Sequence, residues 1–141
     1  MSDETPELPQ IYLITPAEFE LSSFPDRLAA CLDSTDVACV RLSLATRDED
    51  RIAKAADALR AVTHARDIAL VIESHILMVE RLGLDGVHLI DHARSVRQVR
   101  KDLGADAIVG AYCAASRGLR QLRPRRGVAP WGWHARAARA F

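Results

Sequence analysis

Cysteine is scarce in this chain: Cys31, Cys39 and Cys113 are the only three among 141 residues. They form no pairwise disulfide framework, and Cys31 and Cys39 sit among apolar residues as small core hydrophobes. That usage fits a reducing compartment. No apolar run approaches the ~20 residues of a membrane span. The opening Met-Ser-Asp-Glu-Thr-Pro-Glu is acidic and lacks the basic-then-apolar order of a secretory signal. The expectation is a soluble, cytoplasmic protein without a membrane partner. No Gly-x-x-x-x-Gly-Lys loop is present, and the turn after the first apolar run, Thr15-Pro16-Ala17-Glu18, contains no glycine. A phosphate-cradling loop and a dinucleotide fingerprint are therefore both missing. Acid is missing from residues 117–141, which hold seven arginines. The formal net charge of zero is thus a cancellation: 12 bases face 19 acids in residues 1–116, giving a body of about −7 and a tail of about +7.

What the chain does have is a core and a rhythm. Hydrophobic residues make up 49% of it, enough for one packed domain and against wholesale disorder. Five short apolar runs stand out: Ile11–Ile14, Val37–Leu42, Ile68–Ile72, Gly86–Leu89 and Ala107–Ala111. Their length and Val/Ile/Leu content predict strands, and their near-continuous apolarity predicts parallel strands covered by helices on both faces. Helical patterns fill the gaps. Ile52, Ala55, Ala56, Leu59 and Val62 recur at spacings of three and four after Thr46-Arg47-Asp48-Glu49, which reads as a capping box. Ser95-Val96-Arg97-Gln98 reads as another, before Val99, Leu103 and the stop Gly104. A third helix is expected from about His75 to Leu82, stopped by Gly83, and a first from about Phe24 to Asp33.

A faint repeat supports the alternation. Leu82-Gly83-Leu84-Asp85 precedes one predicted strand, and Leu103-Gly104-Ala105-Asp106 precedes the next, 21 residues on; Asp36 and Asp67 hold the matching place before two others. Repeated helix–Gly–x–Asp–strand units are what a βα architecture produces. The order allows a doubly wound open sheet or part of a (βα)8 barrel.

The segments themselves resemble those of the thiamine phosphate synthase/TenI family. Ile11-Tyr12-Leu13-Ile14-Thr15 is similar to its opening strand, Leu84-Asp85-Gly86-Val87-His88-Leu89 to its Asp-Gly-Val-His-Leu-Gly motif, and Ala107-Ile108-Val109-Gly110 to the strand that follows. The resemblance is collinear over residues 11–113. It implies an α/β fold, a partial (βα)8 TIM barrel of about five parallel strands with four helices, in a chain shorter than the ~250 residues of a whole barrel. It also implies thiamine biosynthesis: a transferase (thiamine-phosphate diphosphorylase) that joins pyrimidine diphosphate to thiazole phosphate at the barrel mouth, with Mg2+. The expected layout is an N-terminal tail over 1–9, the partial barrel over 10–116 and an irregular arginine-rich tail over 117–141.

Mapped through the resemblance, the family's site has drifted. Its Gln-x-Arg-x-Lys grip on the diphosphate falls on Arg41, Ser43 and Ala45, so two cations are gone and one has appeared a step early. Its Asn-Asp, with the Asp holding magnesium, falls on Glu73-Ser74. Its Gly-Gln-x-Asp falls on Ile90-Asp91-His92-Ala93, and its Ser-x-His on Tyr112-Cys113-Ala114, without the histidine of TenI-type tautomerases. Charge-assisted bonds to a diphosphate are among the strong ones, and magnesium wants hard oxygen ligands. Impaired catalysis, a pseudoenzyme, is therefore expected. The candidate substrate-binding residues are Arg41, Ser43, Glu73, Ser74, His88, Asp91 and Tyr112, with a small phosphorylated molecule as ligand.

Single residues carry plainer readings too. Arg41 lies inside an apolar strand, where an unpaired charge is expensive; it requires either an acid such as Glu73 or an anionic ligand. His88 either faces the mouth or fixes local loop geometry. His88, Asp91 and His92 can be drawn as metal ligands, and Cys113 as a nucleophile, but no thiolate partner or pKa-lowering neighbour supports them. In the tail, Pro124, Gly127, Pro130 and Gly132 break any helix, and both tryptophans lie there. That composition reads as GC-rich DNA translated out of frame, as an interaction tail folding on the acidic body, or, with least support, as an RNA-binding segment. A truncated barrel leaves its fifth strand as an open edge. Either another copy or the tail is expected to cover it, and the lone monomer is expected to be marginal or to aggregate.

Overall fold

A computed structural model describes residues 10–90, 95–112 and 136–139. Strand and helix alternate as the apolar rhythm requires: β1 Ile11–Ile14, α1 Phe24–Ser34, β2 Val37–Leu42, α2 Glu49–His64, β3 Ala69–Glu73, α3 Ile76–Arg81, β4 Gly86–Leu89, α4 Val96–Leu103 and β5 Ile108–Ala111. All strand pairs are parallel, so the five strands and four helices form half of a βα barrel.

Local chemistry sets the boundaries. Pro25 lies at the start of α1, where a missing N–H costs nothing. The cap of α2 lies two residues later than the sequence reading places it. The Asp48 carboxylate accepts from the amides of Asp50 and Arg51 at 3.0 and 3.4 Å, while Thr46 Oγ1 accepts from the Asp48 amide at 3.1 Å, so the threonine closes the preceding turn. Ser95 is the N-cap of α4 as expected, but its side chain makes no capping hydrogen bond. Gly83 ends α3 with φ +64°, which a Cβ would penalise.

The pleat sorts the side chains. Leu13, Val40, Leu42, Leu70, Ile72 and Val87 point to the helix side and are buried against Leu28, Ile52, Leu59 and Val99. Tyr12, Ile14, Arg41, Glu73 and His88 occupy the alternate positions and line the inner, concave face. An irregularity between Ile11 and Tyr12 is decisive here. Ile11 pairs with Val37 but Tyr12 pairs with Cys39, so one extra residue enters β2 and puts Tyr12 and Arg41 on one face.

The sheet order is β5-β4-β3-β2-β1-β6, and its sixth member corrects the expectation of a wholly irregular tail. β6, Arg136–Arg139, lies parallel to β1, with Ile11 opposite Arg136 and Ile14 opposite Arg139. Arg-Ala-Ala-Arg has no strand periodicity to read. Its pairing comes from the unpaired backbone row along β1, which in a closed barrel the last strand fills. The tail strand thus covers the edge opposite to β5. Residues 113–135 lie outside the described residues, and with them Cys113 and most of the tail.

At the opposite end of the strands from the mouth, Arg66 clamps Asp33 at 2.7 and 3.1 Å and donates to the Val62 carbonyl at 3.0 Å. The hydrogen bond from Arg66 holds the Asp33 carboxyl below its usual range. A shallow depression of about 610 Å³ lies beside this clamp, lined by Thr35, Asp36 and Asp67, away from the inner-face cluster.

Candidate functional site

Parallel strands bring their C-terminal ends to one rim, and four of the seven candidate residues meet there. The Glu73 carboxylate, at the end of β3, accepts a hydrogen bond from Ser43 Oγ at 2.8 Å and lies 3.4 Å from Arg41 Nε. The Arg41 guanidinium stands over the Tyr12 ring, 5.8 Å from its centroid. The Tyr12 hydroxyl lies 3.2 Å from His88 Nδ1. The chain of contacts His88–Tyr12–Arg41–Glu73–Ser43 therefore spans β4, β1, β2 and β3 across the concave face. Backbone bonds fix the rim: the amides of Thr15, Ser74 and Tyr112 donate to the carbonyls of Arg41, His88 and Leu89 at 2.8–3.0 Å. Ser43 is held again through its amide, which donates to the buried Thr15 Oγ1 at 3.0 Å.

Ser74 follows Glu73 with φ +66°, an uncommon conformation for a residue with a side chain. Tyr112 stands on the same rim beyond β5, 52% exposed. Asp91, like His92, lies outside the described residues.

The ion pair of Arg41 answers the question its position raises. Its side chain keeps 16% exposure and that of Glu73 25%. A cation placed so deep needs its carboxylate. At 3.4 Å the contact is an ion pair without hydrogen-bond geometry, and Arg41 Nε is buried with no hydrogen-bond acceptor among the described residues.

His88 is a neutral imidazole at physiological pH. Burial first, and the Arg41 cation second, push its pKa down from 6.5 to about 4. Burial holds the Tyr12 phenol well above its ordinary value, so it stays protonated. The hydroxyl donates to Nδ1 when the ring proton is on Nε2, and accepts in the other tautomer. The Cys39 thiol beneath them is pushed up to about 12, mainly by burial, and is no nucleophile. Because the folded state depresses the His88 pKa, its stabilising contribution is complete above pH 6.5 and lost as pH falls towards 4. The fall amounts to ~3 kcal/mol for an enclosed ring and about half of that for this half-buried one. Urea midpoints measured from pH 7.5 down to 4.5 should fall, and His88→Gln should flatten the decline over that window.

A glycine makes room for this ring. A Cβ on Gly110 would lie 2.7 Å from His88 Nδ1. Tyr12 is the participant that sequence reasoning missed, because it reads as one more apolar strand residue. No local signal marks it: within β1 only Ile14 shares its face, and it is the register with β2 that links it to Arg41.

The described residues of the site do not suit the magnesium that the resemblance implies. The Glu73 carboxylate is engaged by Arg41 and Ser43, Ser74 offers only a hydroxyl, and no three His, Cys, Asp or Glu side chains gather to hold a metal among the described residues.

The sequence pattern of the family described as thiamine monophosphate synthase (TMP-TENI) matches residues 11–126. The chain belongs to this family. The match reaches ten residues beyond the 116 at which the βα rhythm stops, into the arginine-rich segment. Family relatives include the thiamine-phosphate synthase of Rhodospirillum centenum, 40% identical over 84% of this chain and 58% of that protein. That of Erythrobacter litoralis is 35% identical over 80% of this chain and 54% of that protein. The chain therefore spans somewhat over half the length of these relatives. The solved thiamine phosphate pyrophosphorylase of Pyrococcus furiosus superposes with a TM-score of 0.58 at 16% identity, over 72% of this chain and 48% of that one, a likeness of fold. No helix among the described residues is long and apolar enough to cross a membrane.

Proposed function

We propose that this chain is a member of the thiamine-phosphate synthase family, tied by descent to thiamine biosynthesis, whose mouth does not grip a diphosphate and whose joining of pyrimidine diphosphate to thiazole phosphate is impaired. The observation that carries the reading is the ion pair of Arg41 with Glu73. The cation that stands nearest the family's grip is neutralised inside the protein. The two places where the resemblance expects Arg and Lys are Ser43, hydrogen-bonded to that same Glu73, and Ala45. A charged ligand entering here would have to break a partly buried pair before making its own bonds.

The test supplies both phosphorylated precursors with magnesium and follows thiamine phosphate. Turnover is expected at least ~1000-fold below that of a full-length relative, as the loss of two charge-assisted grips implies. A rate within about tenfold of the relative, set by the same arithmetic, would overturn the reading.

A second reading is favoured by the buried Nε of Arg41, which lacks a hydrogen-bond acceptor among the described residues. It is a non-catalytic module that binds a small anion at this nitrogen. Calorimetric titration with pyrophosphate distinguishes it: binding that vanishes in Arg41→Gln, without turnover, would make the chain a binding module.

A further inference from the structure

β5 ends the sheet, with β4 as its strand partner and no strand on its other side among the described residues. In a parallel ladder both backbone groups of one residue point to the same neighbour, and those of the next residue point away. The amides of Ile108 and Tyr112 donate to the carbonyls of Asp85 and Leu89 at 2.9 and 2.8 Å. Ile108, Gly110 and Tyr112 therefore face β4, and the N–H and C=O groups of Val109 and Ala111 face outward. Such a row is a template for another strand. The strand itself has neither of two sequence devices that blunt natural edges: Ile-Val-Gly-Ala carries no charge and no proline.

We propose that a second copy of this chain pairs antiparallel with β5, with Gly110 opposite Gly110 of the second copy. This register is self-complementary. Val109 exchanges two hydrogen bonds with Ala111 of the second copy, and Ala111 exchanges two with Val109 of the second copy, four about one two-fold axis. The central, non-hydrogen-bonded pair brings Cα atoms to ~4.5 Å, and glycine leaves that approach open. Ile108, half-buried, then lies on the same face as its counterpart in the second copy, two residues from the axis on either side. The surface is separate from the Arg41–Glu73 pair, so it stands whether or not the chain turns over substrate.

The experiment is light scattering of the full chain across a dilution series, with hydrogen exchange read at each concentration. A species of twice 15.5 kDa is expected. The amides of Val109 and Ala111 are expected to exchange ~10-fold slower or more in it than after dilution, while that of Gly110, bonded towards β4, stays protected throughout. Ala111→Pro removes an outward donor and should give a monomer with unchanged far-UV circular dichroism. If that variant does not fold, exchange in the unaltered chain decides. A chain that stays monomeric, a dimer in which Val109 and Ala111 exchange independently of concentration, or assembly beyond the dimer would each overturn the proposal.

Discussion

Gly86→Ala is expected to cost at least ~3 kcal/mol and to lose most of the soluble protein, the largest single effect in this chain. A Cβ at residue 86 would lie 1.9 Å from the Ile108 carbonyl oxygen, 2.6 Å from its carbon and 2.8 Å from its Cα. These are backbone atoms of the neighbouring strand, so no rotamer change relieves the clash. β4 and β5 would have to separate, and with them the pairings Gly86–Ile108 to Leu89–Ala111. Gly110→Ala provides the graded comparison. There the obstacle is the His88 imidazole, a side chain that can move, so a loss of only ~1 kcal/mol is expected, with the Tyr12–His88 bond broken. Urea unfolding of both variants beside the parent checks the order. Gly86→Ala as stable as Gly110→Ala would mean that β5 does not sit where the sheet places it.

The second large effect is at Glu73. Glu73→Ala removes the carboxylate that faces Arg41 and accepts from Ser43, and leaves a guanidinium with 16% exposure beside the Tyr12 ring. Removing one member of a fully buried pair costs ~3–5 kcal/mol. With 16% and 25% exposure at the two ends, solvent screens part of this, and ~2 kcal/mol is expected. The companion variant decides the cause. Arg41→Met with Glu73→Leu replaces the pair by apolar side chains and should recover most of the loss, because neither charge is then stranded. A urea-based double-mutant cycle reads the coupling. Equal losses in the single and double variants would show that packing, not charge, holds the two residues.

Several features were legible before any fold was known. The five apolar runs become β1 to β5, with β3 shifted by a single residue and β5 beginning one residue later. The helical face of Ile52, Ala55, Ala56 and Leu59 is buried as its spacing demands, and Gly83 ends its helix. Arg41 inside an apolar strand pointed to a carboxylate partner, and Glu73 is that partner. The α2 cap falls on Asp48 although Thr46 is an equally good capping residue, because the Asp48 carboxylate reaches the free amides and the threonine serves the turn before it.

By itself, the sequence determined the βα order, the helix-side core and the family, because periodicity and short motifs are written along the chain. Tertiary structure decided the meetings that no motif announces. The extra residue in β2 turns Arg41 towards Tyr12, a 3.2 Å contact joins residues 12 and 88, and an arginine-bearing segment far along the chain completes the edge of β1. The physical reason is register: a side chain's neighbours depend on which partner residue it stands opposite, and that pairing is settled between strands distant in sequence rather than within either one.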